Sequence, residues 1–134
     1  MEGDLGAGNY CTLFNMGEFK TILFVDDDKN LADMTGSILL VLGYSPVVAC
    51  NSAQALQIII ENEIDLAILD QNLGDNITGD ELAQKLKLIK PDLKIMATSG
   101  NLSTETETNP CYCGFIRKPF SIDELKHLLE TTFI

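Results

Sequence analysis

The sequence predicts an α/β protein, built as a single doubly wound (βα)5 domain with a parallel sheet of order 2-1-3-4-5 and helices on both faces. Two observations carry this prediction. Short apolar runs alternate five times with segments whose apolar residues recur at helical spacing, and such alternation requires parallel strands with right-handed crossovers. Pro46 lies inside the second run, and proline cannot donate a ladder hydrogen bond. That strand therefore belongs at a sheet edge, as this strand order requires.

The first half of the domain is predicted from strand signals and helix caps. The first strand runs over 20–25, and the following helix begins at Asp27 or Asp28 and ends at Gly43, which tolerates a positive φ. The second strand covers 44–49. Asn51 or Ser52 caps the second helix, and the third strand covers 64–69.

The second half is predicted in the same way. Thr78 and Glu81 form a capping box at the start of the third helix, which ends at Lys90 before Pro91. The fourth strand covers 93–98 and the fifth covers 112–117. A short or irregular helix is expected between them. Ser121 and Glu124 form the capping box of the last helix.

The apolar residues of these helices are expected to face the sheet, because they recur at helical spacing. They are Leu31, Met34, Ile38, Leu39 and Leu42; then Ala55, Leu56, Ile59 and Ile60; then Leu82, Leu86 and Ile89; and last Ile122, Leu125, Leu128, Leu129 and Phe133.

Length and charge limit the possible partners. The 134 residues suffice for one domain with a core, and 46% of them are hydrophobic. With 20 acidic and 9 basic residues, the net charge of −11 argues against direct binding of nucleic acid or an anionic membrane. The chain has no apolar run long enough to insert into a bilayer. Residues 1–18 lack periodicity and are expected to be a disordered arm, a linker or an expression remnant, which leaves 19–134 as the folded domain.

The four cysteines do not predict a metal site. Cys111 and Cys113 are close together, Cys11 and Cys50 are distant, and His127 is the one histidine, so the spacing does not suit zinc. We therefore expect reduced thiols and a cytoplasmic protein.

Acidic residues follow two strands that are neighbours in the predicted order. Asp26 and Asp27 follow the first strand and Asp70 follows the third, so their carboxylates should meet at the carboxyl edge of the sheet. Crowded carboxylates repel one another, and an oxygen-only set favours Mg²⁺. One carboxylate can then attack a phosphoryl group to give an aspartyl phosphate. Ser99 would bond a phosphate oxygen, and Lys118 would pair with Asp70 and then with the phosphoryl group.

Four segments resemble the receiver domain of two-component response regulators, a flavodoxin-like phosphoacceptor domain. They are Phe24-Val25-Asp26-Asp27-Asp28, Ile68-Leu69-Asp70-Gln71-Asn72-Leu73, Ala97-Thr98-Ser99-Gly100 and Phe115-Ile116-Arg117-Lys118-Pro119-Phe120. They stand in order at the ends of strands one, three, four and five, and the resemblance covers about 20–134.

The resemblance implies a role for each matching position. Asp70 would be the phosphoacceptor, Asp27 a direct Mg²⁺ ligand and Asp26 a ligand mostly through water. Asn72 would offer its backbone carbonyl to the metal, Ser99 would be the switch hydroxyl beside the small Gly100, and Phe115 would be the aromatic switch. Thr98, next to Ser99, is the alternative switch hydroxyl. Lys118 would be the family's lysine, with a cis bond to Pro119.

Two departures from the family pattern bear on the partners. The loop after Asp70 is one residue longer than in common members, and the stretch from Ser99 to Lys118 is a few residues shorter. That stretch belongs to a face that usually carries dimer or output contacts, so neither contact is assumed here.

The predicted function is a phosphorylation switch rather than an enzyme, assisting its own phosphotransfer and dephosphorylation. The donor would be a sensor histidine kinase or a phosphotransfer protein, with a possible downstream output protein. The chain would be a stand-alone regulator or part of a longer protein such as a hybrid kinase. One alternative is a haloacid-dehalogenase-like phosphatase with Asp26 as nucleophile and Asp28 as acid, although Asn30 departs from that pattern. Another is a pseudo-receiver that binds partners without being phosphorylated.

Overall fold

A computed structural model describes residues 19–74, 77–100 and 107–133 of the chain. In chain order the elements are β1 (Thr21–Val25), α1 (Lys29–Val41), β2 (Ser45–Ala49), α2 (Ser52–Glu61), β3 (Leu66–Asp70), α3 (Gly79–Ile89), β4 (Lys94–Ser99), β5 (Gly114–Arg117) and α4 (Ile122–Thr132). Residues 1–18, and most of the short helix expected between β4 and β5, lie outside the described residues.

The strands form one parallel sheet of order β2-β1-β3-β4-β5, which confirms the predicted topology. Pro46 lies on β2 at the edge of the sheet and is paired in register with Ile22 of β1. β3 sits at the centre and all five of its residues are buried. The strand bounds differ from the predicted ones by up to two residues, and β3 extends to include Asp70 itself.

Local capping explains where the helices begin. Asp28 accepts a hydrogen bond from the Leu31 amide and caps α1, and Asn51 caps α2 in the same way. Both predicted capping boxes are present, at the starts of α3 and α4. Gly43 follows α1 with φ +100°, which confirms the predicted left-handed conformation.

The core is divided by the sheet into two apolar layers, one under α2 and α3 and the other under α1 and α4. Alternate residues of each strand contribute to opposite layers, so Leu23 and Val25 pack on one side and Ile22 and Phe24 on the other. Both faces of the sheet are thereby covered, and the carboxyl edge is left as the place where polar side chains can meet.

Four residues expected to face the core are wrong predictions. Met34 is 56% exposed, Ile60 65%, Ile89 39% and Ile122 53%. A helix packed on a sheet buries only a stripe, and Ile60 lies about 100° around α2 from Ile59, which is fully buried. The same geometry turns the other three side chains away from the sheet.

Within the part of the chain that the structure describes, no helix combines the length and apolar character that crossing a bilayer would require. Cys50, Cys111 and Cys113 are free thiols.

Candidate functional site

Three carboxylates meet at the carboxyl edge of the sheet, where β1 and β3 end side by side. Val25 of β1 lies opposite Leu69 of β3, so Asp26 and Asp70 follow on neighbouring strands. One oxygen from each of Asp26, Asp27 and Asp70 lies within 4.8 Å of the other two. Asp26 and Asp70 are buried, whereas Asp27 is exposed. The cluster is therefore buried at Asp26 and Asp70 and accessible to solvent at Asp27.

Lys118 brings a positive charge to the buried side of this cluster. Its Nζ donates a hydrogen bond to Asp26 Oδ2 at 2.7 Å and lies 3.2 Å from Asp70 Oδ2. Its side chain is only 20% exposed. Lys118 follows β5 and precedes the cis peptide bond to Pro119, and its amide donates to the Ser99 carbonyl at 2.9 Å. The ammonium thus bridges two acidic residues from separate strands.

Burial and charge shift the protonation of this pair. Burial raises the pKa of the Asp70 carboxyl above its ordinary value, and the nearby charge of Asp26 raises it further, against the opposing effect of Lys118. Burial alone would lower the pKa of the Lys118 ammonium. The hydrogen bond to Asp26 and the charges of both carboxylates more than offset this, and its pKa is raised.

The loops around the cluster bring backbone groups close to the carboxylates. The Asn72 amide lies 3.4 Å from Asp70 Oδ1, and the Asp28 amide donates to Asp26 Oδ1 at 3.0 Å. Gly74 has φ +72°, and a Cβ there would lie 2.6 Å from Asp27 Oδ2. A glycine at this position therefore leaves room for the Asp27 carboxylate.

Three further predicted site residues lie on β4, next to β3, and on β5 at the edge of the sheet. Thr98 is in register with Asp70 on β4, fully buried, and its hydroxyl has no hydrogen-bond partner among the described residues. Ser99 ends β4 and is half-buried. Phe115 lies on β5, half-buried, with its ring edge-on to Tyr112 at a centroid distance of 5.7 Å. Thr98 and Ser99 thus lie at the same edge of the sheet as Asp70, and Phe115 is level with Leu69, the residue before Asp70.

A polar network beside the site was missed by the sequence analysis. The Tyr112 hydroxyl accepts from Gln71 Nε2 at 2.7 Å and donates to Asp80 Oδ1 at 2.6 Å. Tyr112 was predicted as the start of the fifth strand, but that strand begins at Gly114. The available signal was a tyrosine among apolar residues, because a buried phenol requires a polar partner.

Comparisons with known proteins agree with this architecture. The family model described as response regulator receiver domain matches residues 22–130. A putative NtrX-like response regulator of Rickettsia bellii is 34% identical over 113 residues, covering 81% of this chain and 24% of that protein. The chain therefore spans about a quarter of the length of that relative.

Solved structures show the same fold. A CheY-like response regulator receiver domain from Methanospirillum hungatei has a TM-score of 0.80 and 29% identity, covering 86% of this chain and 94% of its own. The response regulator TrrA of Thermotoga maritima, solved in complex with Mg²⁺ and BeF, has a TM-score of 0.76 and 29% identity, covering 84% and 98%. Because the family model matches most of the chain, the chain belongs to the response regulator receiver domain family of two-component signalling.

Proposed function

We propose that this receiver domain accepts a phosphoryl group on the carboxylate of Asp70, with Mg²⁺ as cofactor. The donor would be the phosphorylated histidine of a sensor kinase or of a phosphotransfer protein. The observation that carries the proposal is the convergence of three carboxylates within 4.8 Å, with Lys118 bonded to one and paired with another. Holding the buried carboxylates of Asp26 and Asp70 next to each other costs folding stability, which favours a chemical role for them.

The donor set suits magnesium. Asp26, Asp27 and Asp70 supply only oxygen atoms, and the exposed position of Asp27 leaves space for the waters that Mg²⁺ retains. Asp27 and Asp70 would be direct ligands together with the Asn72 backbone carbonyl, and Asp26 would act mostly through water. When bound, Mg²⁺ would neutralise negative charge on the oxygens of the transferred phosphoryl group.

The side chains divide the remaining work. Asp70 is the nucleophile: one of its carboxylate oxygens forms a bond to phosphorus while the bond from phosphorus to the donor nitrogen breaks. Lys118 then moves its ion pair from the Asp70 carboxylate to a phosphoryl oxygen, while its hydrogen bond to Asp26 keeps the ammonium in place. The Ser99 hydroxyl bonds another phosphoryl oxygen, and Phe115 reorients in response.

The proposed role is signalling rather than turnover of a substrate. Hydrolysis of the aspartyl phosphate would return Asp70 to its free carboxylate, and the domain would assist this step with the same residues. An output protein or domain would read the phosphorylated state. We place this exchange in the cytoplasm because the free thiols suit a reducing compartment.

Intact-protein mass spectrometry tests the proposal. We expect a mass gain of one phosphoryl group after incubation with a small acyl phosphate and Mg²⁺, and no gain with EDTA. Asp70→Asn should abolish the gain. Asp28→Asn is the matched control, since asparagine still caps α1, and it should keep the gain.

Two outcomes would overturn the proposal. A label that survives in Asp70→Asn and disappears in Asp26→Asn would instead support the phosphatase. A parent protein that is never labelled, although Mg²⁺ binds, would indicate a pseudo-receiver.

A further inference from the structure

Tyr112 is a buried tyrosine that connects three parts of the domain. It lies between β4 and β5 with 9% of its surface exposed, and it belongs to the apolar layer under α2 and α3. Its hydroxyl is bonded to Gln71 and to Asp80 at the start of α3. Burial raises the pKa of the phenol, and the hydrogen bond to Asp80 raises it further, so the hydroxyl stays protonated and can donate.

Gln71 connects this hydroxyl to the phosphoacceptor. It directly follows Asp70 in the chain. Its backbone amide donates to the Thr98 backbone carbonyl of β4 at 3.1 Å, and its backbone carbonyl accepts from the Gly79 backbone amide at 3.2 Å. A Cβ on Gly79 would lie 2.6 Å from the Asp70 carbonyl oxygen. The start of α3 is therefore held tightly against the chain at Asp70, so a displacement at the end of β3 or β4 acts directly on Gln71.

The other side of Tyr112 contacts the proposed aromatic switch. The Phe115 ring packs edge-on against the Tyr112 ring, and the Cys113 amide between them donates to the Ile95 carbonyl of β4 at 2.8 Å. Phe115 is only half-buried, whereas Tyr112 occupies the interior beside it. An inward rotation of Phe115 would therefore have to displace a ring whose hydroxyl is fixed at both of its hydrogen-bonding partners.

We propose that Tyr112 is a positioning residue whose hydroxyl, bonded to Gln71 and Asp80, stabilises the arrangement in which Asp70 pairs directly with Lys118. The inference rests on the proposed function, because it assigns Tyr112 an effect on the phosphoryl-bearing state of Asp70. The switch then has two discrete states, one with the Tyr112 hydrogen bonds intact and one in which Phe115 has moved and they are broken.

The test measures how tightly the protein binds beryllofluoride, a phosphoryl mimic, in the presence of saturating Mg²⁺. Tyr112→Phe removes the hydroxyl and keeps the ring. It should bind beryllofluoride about two- to tenfold more tightly than the parent, because the opposing state loses both hydrogen bonds of the hydroxyl and the net contribution of such bonds to stability is small. Tyr44→Phe is the matched control, since Tyr44 packs against Phe133 on the other side of the sheet, and its affinity should not change.

A second variant separates coupling from a purely structural role. Gln71→Met removes the partner of one of the two hydrogen bonds of the hydroxyl, so it should also tighten binding. The double variant should gain little beyond Tyr112→Phe alone, because that variant has already lost the bond to Gln71. A melting temperature that falls in Tyr112→Phe with unchanged or weaker beryllofluoride affinity would overturn the inference while leaving the proposed function intact. A parent that neither binds beryllofluoride nor takes up a phosphoryl label would overturn both.

Discussion

Replacement of Lys118 by methionine tests the electrostatics of the site in isolation. Methionine keeps most of the length of the side chain but removes the ammonium that lies 2.7 Å from Asp26 and 3.2 Å from Asp70. Both carboxylates are buried, with 0% and 5% of their surfaces exposed, so they would be left without a compensating charge. Breaking a buried ion pair in this way costs about 3–5 kcal/mol of unfolding free energy. For a domain of this size that corresponds to a fall of roughly 10–20 °C in melting temperature.

The assay is urea unfolding at about pH 7 in EDTA, with Lys126→Met as the matched control on the exposed face of α4. We expect the control to change stability by no more than about 0.5 kcal/mol. Asp26→Asn introduced together with Lys118→Met should recover part of the loss, because one of the two uncompensated charges is then gone. A loss no larger than that of the control would refute the buried ion-pair arrangement.

Three further perturbations address the carboxylates and their loop. Mg²⁺ at about a hundred times its dissociation constant should add about 2.7 kcal/mol to the unfolding free energy of the parent, or roughly 10 °C to its melting temperature. Asp27→Ala should lose this response and Asp28→Asn should keep it. Equal shifts in all three proteins would contradict the assigned site. Burial, and then the charge of Asp26, raise the pKa of the Asp70 carboxyl above its ordinary value of 3.8. Between pH 3.8 and the raised pKa, the folded protein therefore binds more protons at Asp70 than the unfolded chain does. The unfolding free energy in EDTA should fall as the pH rises through this range. Asp70→Asn should remove this fall, and its unfolding free energy in urea titrations at about pH 7 should exceed that of the parent. An unfolding free energy of the parent that rises across the same pH range would contradict the pKa shift. Gly74→Ala should lower the unfolding free energy by about 1–2 kcal/mol and also weaken the Mg²⁺-induced rise in melting temperature, because a Cβ there would approach Asp27. Gly43 also has a positive φ, but a Cβ there has no neighbour within 4 Å, so Gly43→Ala should lose stability and keep its Mg²⁺ response. Equal Mg²⁺ responses in the two variants would show that the close approach to Asp27 is unimportant.

The sheet could be predicted from the sequence because its signals are local. Pro46 has no amide hydrogen to donate to a neighbouring strand, which indicated that β2 lies at the edge of the sheet. The strand order then followed from the alternation of strands and helices. The convergence of Asp26 and Asp70 then followed from the parallel arrangement of β1 and β3. The caps at Asp28 and Thr78 were equally local, since each needs only residues within one helical turn.

The errors came from features that depend on tertiary contacts. Ile60 and Met34 are apolar and close to the buried stripe of their helices, and only the direction from which the sheet packs decides that they are exposed. The Tyr112 network joins residues 32 and 41 positions apart, so no sequence spacing could indicate it. The pairing of Lys118 with Asp70 is confirmed at 3.2 Å, but the shorter contact of Lys118 with Asp26, at 2.7 Å, was not predicted.

The identity of the phosphorylated side chain tests the central claim most directly. After treatment with a small acyl phosphate and Mg²⁺, the acyl phosphate can be reduced with borohydride, and the modified residue can be located by peptide mass spectrometry. We predict that the modification lies at Asp70 alone. A modification at Asp26, at Asp27 or at any carboxylate outside this cluster would contradict the account.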